Sequence, residues 1–254
     1  MPRILYISYD GLTDPLGQSQ ILPYLTKISE NKYFIDIISF EKKEVYLKNK
    51  QEVKNKLLNK NINWHPCFYT KSPPIISTIW DILMGWRKSK NLNKEKNYKI
   101  VHCRGYIAGL LGLKLNYKYK TSLIFDMRGW WADEKIESGN WNNYLFKPIY
   151  NYFKKKEKEL FKNADKTISL TYAGENEILK NNWTIKNKIG IIPTCVDFEN
   201  FPEWEFSIRK KTREKLNISN ESKVLVYSGS LGGNYNFNDF SIIFNKFLKI
   251  SQKN

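Results

Sequence analysis

The chain has 254 residues, of which 41% are hydrophobic and 15% aromatic, enough to build a sizeable core and to exclude an intrinsically disordered protein. Lysine and arginine outnumber aspartate and glutamate by 42 to 25, and the net charge of +17 favours anionic head groups, nucleotide phosphates and polyanions as partners. Cys67, Cys103 and Cys195 form no CxxC pair, so they read as reduced thiols of a cytoplasmic protein with no metal framework.

The first predicted strand covers residues 4–9. The N-terminus enters it directly, so no signal peptide is expected. The strand empties into residues 10–17, and a helix is predicted from Gln18 to residue 30. A glycine-bearing loop between a strand and a helix start offers free N–H groups and the positive end of a helix dipole, a place for phosphate. The same loop also reads as an ordinary connection shaped by Gly11, Pro15 and Gly17, and no GxGxxG or Walker pattern decides between the two.

Further strands are predicted over residues 34–40, 62–65, 100–103, 122–126, 166–170 and 188–192. Helices are predicted over 45–59, 75–92, 106–115, 143–163 and 172–181. This alternation predicts an α/β fold, a Rossmann-like doubly wound parallel sheet with helices on both faces. Many of its strands are apolar without period-two alternation, as expected when both faces are covered.

Two helices carry further signals. Residues 75–86 form the most apolar stretch, but it contains Asp81 and no run reaches the roughly 18 apolar residues of a membrane span. Two tryptophans followed by Arg87, Lys88 and Lys90 suit either a helix lying on an anionic membrane surface or one docked on the sheet. In the helix over 143–163, Leu145, Ile149, Tyr152, Phe153, Leu160 and Phe161 share a core-facing stripe, and Lys154 to Lys156 with Lys158 face water.

The pattern changes after residue 192. Pro193 and Pro202 punctuate a connection, a short helix is expected over 209–217, and a fresh strand over 223–228 runs into Gly229-Ser230-Leu231-Gly232-Gly233 before a final helix over 238–251. One βα unit cannot bury its own apolar faces. The expected organisation is therefore a domain over 1–195, a linker over 196–222 and, over 223–254, the start of an incomplete second Rossmann-like domain. Poorly covered apolar residues there predict self-association or a missing C-terminal half. The basic residues are dispersed and no nucleic-acid motif accompanies them, so no nucleic-acid partner is expected.

Five segments in order, ILYISYDGLTDPLGQSQILPYL from Ile4, VHCRGYIAG from Val101, FDMRGWWADE from Phe125, IPTCVD from Ile192 and YSGSLGG from Tyr227, resemble the motifs of family 4 glycosyltransferases of the GT-B fold. The resemblance implies transfer of a sugar from a nucleotide-sugar donor to a glycan or lipid-linked acceptor in cell-surface polysaccharide synthesis. It further implies a metal-independent enzyme that retains anomeric configuration and needs no cofactor, a UDP- or GDP-sugar being its substrate. It would work in the cytoplasm, peripheral to the inner face of the membrane. On this resemblance the catalytic residues are Asp126, Arg128, Asp133 and Glu134. The donor phosphates would meet Gly17, Gln18, Ser230 and Gly232, and the acceptor His102, Arg104 and Trp131.

Two departures stand out. Many members of the family carry a histidine at the position of Arg128; an arginine cannot act as a base but can grip a carboxylate or phosphate with two N–H groups. The family's late pair of glutamates, with seven residues between them, has no counterpart in this sequence, since Glu44 and Glu52 have the spacing but fall on a lysine-rich helix of the first domain. The alternative is a non-catalytic remnant that binds an acceptor glycan, a membrane surface or a partner transferase.

Overall fold

The computed structural model describes residues 2–196, 198, 203–229 and 237–251. The chain divides into two compact units, Met1–Glu134 with Asn143–Asp197, and Lys135–Asn142 with Phe198–Asn254.

The first unit holds seven strands: β1 (Arg3–Ser8), β2 (Phe34–Glu41), β3 (Ile62–Phe68), β4 (Ile100–Arg104), β5 (Ser122–Asp126), β6 (Lys166–Ser169) and β7 (Ile189–Ile191). All neighbours pair in parallel, in the order β3-β2-β1-β4-β5-β6-β7. The doubly wound sheet expected from the sequence is thus the one formed. Its order reverses between β1 and β4, the switch point outside which open α/β sheets leave a crevice for ligands.

Alternate side chains supply two cores. Leu5, Ile7, Ile38, Phe40, Cys103 and Phe125 enter one face, and Tyr6, Ile35, Ile37 and Ile62 the other. The helices that cover them are α1 (Leu22–Glu30), α2 (Lys43–Leu57), α3 (Ile76–Lys96), α4 (Gly105–Tyr119), α5 (Trp131–Glu137), α6 (Lys147–Asn163) and α7 (Tyr172–Lys180). Helix α4 is buried nearly all round, and only glycine fits at 112, where a Cβ would lie 2.5 Å from Cys103 Sγ. The helix predicted from Gln18 is in fact a π-helical turn, Gly17–Ile21, followed by α1 with Pro23 in its first turn. The long predicted helix likewise begins as a 3₁₀ turn, Tyr144–Phe146, before α6.

Helix α3 is built the wrong way round for a water-facing helix. Its buried positions are Ser77, Asp81, Gly85, Ser89, Leu92 and Asn93, while Ile76, Ile79, Trp80 and Leu83 face outward. Hydrogen bonds fix its inner face together with the packing of Ile82, Trp86 and Leu92 on the core. Asp81 accepts from Tyr9 Oη at 2.8 Å and from the Thr70 N–H at 3.1 Å, and Ser89 Oγ donates to the Gly85 carbonyl at 2.7 Å.

The second unit contains α8 (Phe206–Lys215) and α9 (Phe237–Ser251). The strand expected over 223–228 does not form; residues 222–228 run without regular structure. A lone parallel strand has no ladder to join, and among the described residues no other strand lies in that unit. Tyr227 instead packs on Phe240, with ring centroids 5.0 Å apart.

Candidate functional site

A cavity of about 420 Å³ opens at the carboxyl ends of β1, β4 and β5, at the switch point. Strand register sets its floor: Ser8 lies opposite Arg104, and Arg104 opposite Asp126, so a guanidinium and a carboxylate end adjacent strands side by side. Two residues beyond Asp126, Arg128 sits at φ +57°, the left-handed conformation that side-chain-bearing residues rarely adopt.

Four polar side chains surround the two arginines. The Gln20 side-chain oxygen accepts from Arg104 Nη2 at 2.9 Å and from Arg128 Nη2 at 2.8 Å. Asp126 lies 3.7 Å from Arg104 Nη1 and 3.8 Å from Arg128 Nη1, close enough for attraction but too far for hydrogen bonds. Its Oδ1 is buried with no hydrogen-bond partner. Arg104, only 4% exposed, also approaches Asp10 at 3.4 Å, and Arg128 reaches the Thr194 hydroxyl at 3.5 Å.

Burial pushes the Asp126 carboxyl up to about 6, against the pull of Arg128 and Arg104, and nearby Asp10 adds to the rise. Burial also lowers Arg128, although Asp126 opposes the change. Tyr24, on the cavity wall, is raised by burial and then by the Asp126 charge. An under-bonded carboxylate between two guanidiniums can accept from a ligand hydroxyl while the guanidiniums grip a neighbouring anionic group.

The sequence-derived candidates separate into groups. Asp126, Arg128 and Arg104 meet in the cavity. Asp133 does not line it; its carboxylate accepts from Tyr150 Oη at 2.8 Å and from Lys154 Nζ at 2.8 Å, in a network that continues to Glu157 and Tyr106. Glu134 is also outside the lining and lies against Gly129, where a Cβ would meet its Oε1 at 2.3 Å. His102 is buried beneath the site, edge-on to Tyr6 at 4.8 Å, and burial and Arg104 push it down to about 4, so it is a neutral core residue. Trp131 is half-buried and packs against the core on Tyr106 and Phe153. Ser230 and Gly232 lie outside the described residues.

The first loop carries the largest difference from expectation. Gly17 is buried, and a Cβ there would lie 2.1 Å from the Gly11 carbonyl oxygen, so contact between two backbone segments is enough to require glycine. Gln18 turns toward α2 and accepts from Lys56 Nζ at 2.6 Å. The loop N–H groups of Leu12 and Thr13 are taken by the buried Glu41 carboxylate, at 2.7 and 3.1 Å. Glu41 also accepts from the hydroxyls of Thr13 and Ser39, each at 2.5 Å. An internal anion from β2 thus fills the place read as a phosphate cradle. Sequence reasoning missed Gln20, Tyr24, Thr194 and Glu41; the only trace of Gln20 is the repeated glutamine in Gly17-Gln18-Ser19-Gln20.

Among the described residues no cluster of histidine, cysteine, aspartate and glutamate is suited to a metal ion, and no helix is long and apolar enough to cross a membrane.

Comparison with known proteins gives a consistent picture. The family model of Glycosyltransferase Family 4 matches residues 36–200. A search of curated protein sequences gives no match. Among solved structures, sucrose-phosphate synthase from Thermosynechococcus elongatus is similar with a TM-score of 0.61 at 12% identity, over 87% of this chain and 54% of that one. HepE from Anabaena, in complex with UDP and glucose, has a TM-score of 0.54 at 10% identity, over 85% of this chain and 50% of its own. A glycosyltransferase from Rickettsia africae has a TM-score of 0.51 at 15% identity, over 87% and 50%. The chain therefore spans about half the length of these solved structures. At such identities the likeness is one of fold.

Proposed function

The chain belongs to glycosyltransferase family 4, and from that premise we propose that it carries the acceptor side of an enzyme moving a sugar from a nucleotide sugar to a glycan or lipid-linked acceptor. The observation that carries this reading is the cavity at the switch point, where Arg104 and Arg128 flank the under-bonded Asp126. Asp126 accepts a hydrogen bond from an acceptor hydroxyl and orients the sugar ring, and the two guanidiniums take a nearby anionic group of the same molecule.

In the transfer step the acceptor oxygen bonds to the anomeric carbon and the bond from that carbon to the diphosphate oxygen breaks. The nucleoside diphosphate leaves with the electron pair and takes the acceptor proton. The proposed reaction retains anomeric configuration and uses neither metal nor cofactor, with a UDP- or GDP-linked hexose as donor, and serves cell-surface polysaccharide synthesis. Residues 1–195 form the acceptor domain in this reading, 196–222 a linker and 223–254 the beginning of the donor domain. The protein would work in the cytoplasm at the inner face of the membrane.

Calorimetric titration tests the reading, with UDP-, GDP- and ADP-sugars in one arm and a sugar 1-phosphate beside the uncharged sugar in the other. The expected result is saturable binding of the sugar phosphate, at least about tenfold weaker after Arg128→Ala. Heat with neither class of ligand, in a folded protein, would remove the proposed function.

A further inference from the structure

The first half of helix α3 presents Ile76, Ile79, Trp80 and Leu83 to water, while Ser77, Asp81 and Gly85, with the half-buried Ile82 and Trp86, face the core. Ile76, Ile79, Trp80 and Leu83 are 65%, 54%, 54% and 47% exposed, and their i, i+3, i+4, i+7 spacing puts them on one stripe. Phe68 at the end of β3 and Ile75 before the helix are also exposed. One turn further along the same stripe the chemistry changes to Arg87, followed by Lys94, with Lys88 alongside, all exposed. The only acidic residue of α3 before Glu95 is Asp81, which is fully buried.

We propose that this face of α3 is a docking surface for an anionic lipid bilayer, in which Ile76, Ile79, Trp80 and Leu83 enter the interface and Arg87 and Lys88 meet the head groups. Charge selects this occupant. A second copy of the chain offers Arg87 and Lys88 no exposed acidic partner on the same stripe, whereas anionic head groups neutralise them. The helix lies in the interface and does not cross it, consistent with its single apolar stripe. Helix α3 starts at the carboxyl end of β3, so its apolar half stands at the same end of the sheet as the cavity. The surface deepens the proposed membrane-side reading by naming what touches the lipid, yet its test contains no sugar, so either idea can fail without the other.

The experiment is flotation of the full chain with vesicles of phosphatidylcholine alone and of phosphatidylcholine containing roughly one-third phosphatidylglycerol. Binding to the anionic vesicles is expected, falling at high salt. Ile79→Glu with Trp80→Glu is expected to weaken it at least about tenfold. Arg87→Glu with Lys88→Glu should weaken it about fivefold or more per cation while leaving the weak binding to neutral vesicles unchanged. These positions are exposed, so the far-ultraviolet spectrum and unfolding midpoint of both variants should match those of the parent. No flotation with either vesicle, or flotation indifferent to both pairs of substitutions, overturns the proposal. So does a concentration-dependent dimer that Ile79→Glu with Trp80→Glu dissolves while vesicles capture nothing.

Discussion

Asp126→Asn is expected to lower transfer by about a hundredfold and yet to make the protein more stable at neutral pH. The loss follows from the site: an amide keeps the shape but not the charge that draws an acceptor hydroxyl into place between Arg104 and Arg128. The gain follows from burial, which raises the folded-state carboxyl to about 6 despite the two guanidiniums. Because the folded chain then binds this proton more tightly than the unfolded chain does, stability falls as pH rises from about 4 to about 6, and stays at the lower level above. Asparagine has no charge to bury, so at pH 7 the variant should gain roughly 1–3 kcal/mol. Urea unfolding at neutral and mildly acidic pH checks both halves: the gain should vanish near the ordinary carboxylate pKa. A variant less stable than the parent at neutral pH would mean that the guanidiniums hold the carboxylate more strongly than burial opposes it. In the parent, acceptor use should decline as pH falls through about 6, where Asp126 takes up its proton.

The second large effect is expected at Glu41, whose carboxylate accepts from two backbone N–H groups and two hydroxyls while fully buried. Glu41→Ala strands all four donors and removes the charge that organises the first loop. A loss of about 4 kcal/mol or more is expected, from a lower urea midpoint. Glu41→Gln keeps the size but turns an NH₂ group toward donors, so it should recover only part of that loss. Ser39→Ala, which removes one donor to Glu41 and the acceptor of the Trp64 indole N–H but leaves the loop contacts in place, should cost about 1–2 kcal/mol. If Glu41→Ala proved as mild as Ser39→Ala, the loop would be held by its packing on Gly11 and Gly17 instead.

The sheet was legible because parallel strands buried on both sides read as apolar runs, and β1 with its unbroken Ile4 to Ile7 is such a run. Arg104, Asp126 and Arg128 were legible through the motifs that contain them. What the sequence hid depends on partners distant along the chain. Glu41 is an unremarkable residue at a strand end until the loop 28 and 29 positions earlier folds against it. Asp133 and Glu134 sit in the same motif as Asp126, but helix α5 turns Asp133 toward Tyr150 and Lys154. Hydropathy marked residues 75–86 of α3 as the most apolar stretch but left open whether they dock on the sheet or lie outward, because hydropathy has no direction; the Asp81 hydrogen bonds help decide which face goes inward.

Gln20 gives the cavity a single common rotor. Both guanidiniums donate to the same amide oxygen, so a half-turn of that amide would place its NH₂ group against two cations at once. Arg104 and Arg128 are therefore kept or released together. In a double-mutant cycle their effects on ligand affinity should fall short of the sum, and Gln20→Ala should reproduce most of the double loss. A substitution at this one uncharged position would then act as if two charges had been edited, which makes Gln20 the position from which the specificity of the cavity is most economically altered.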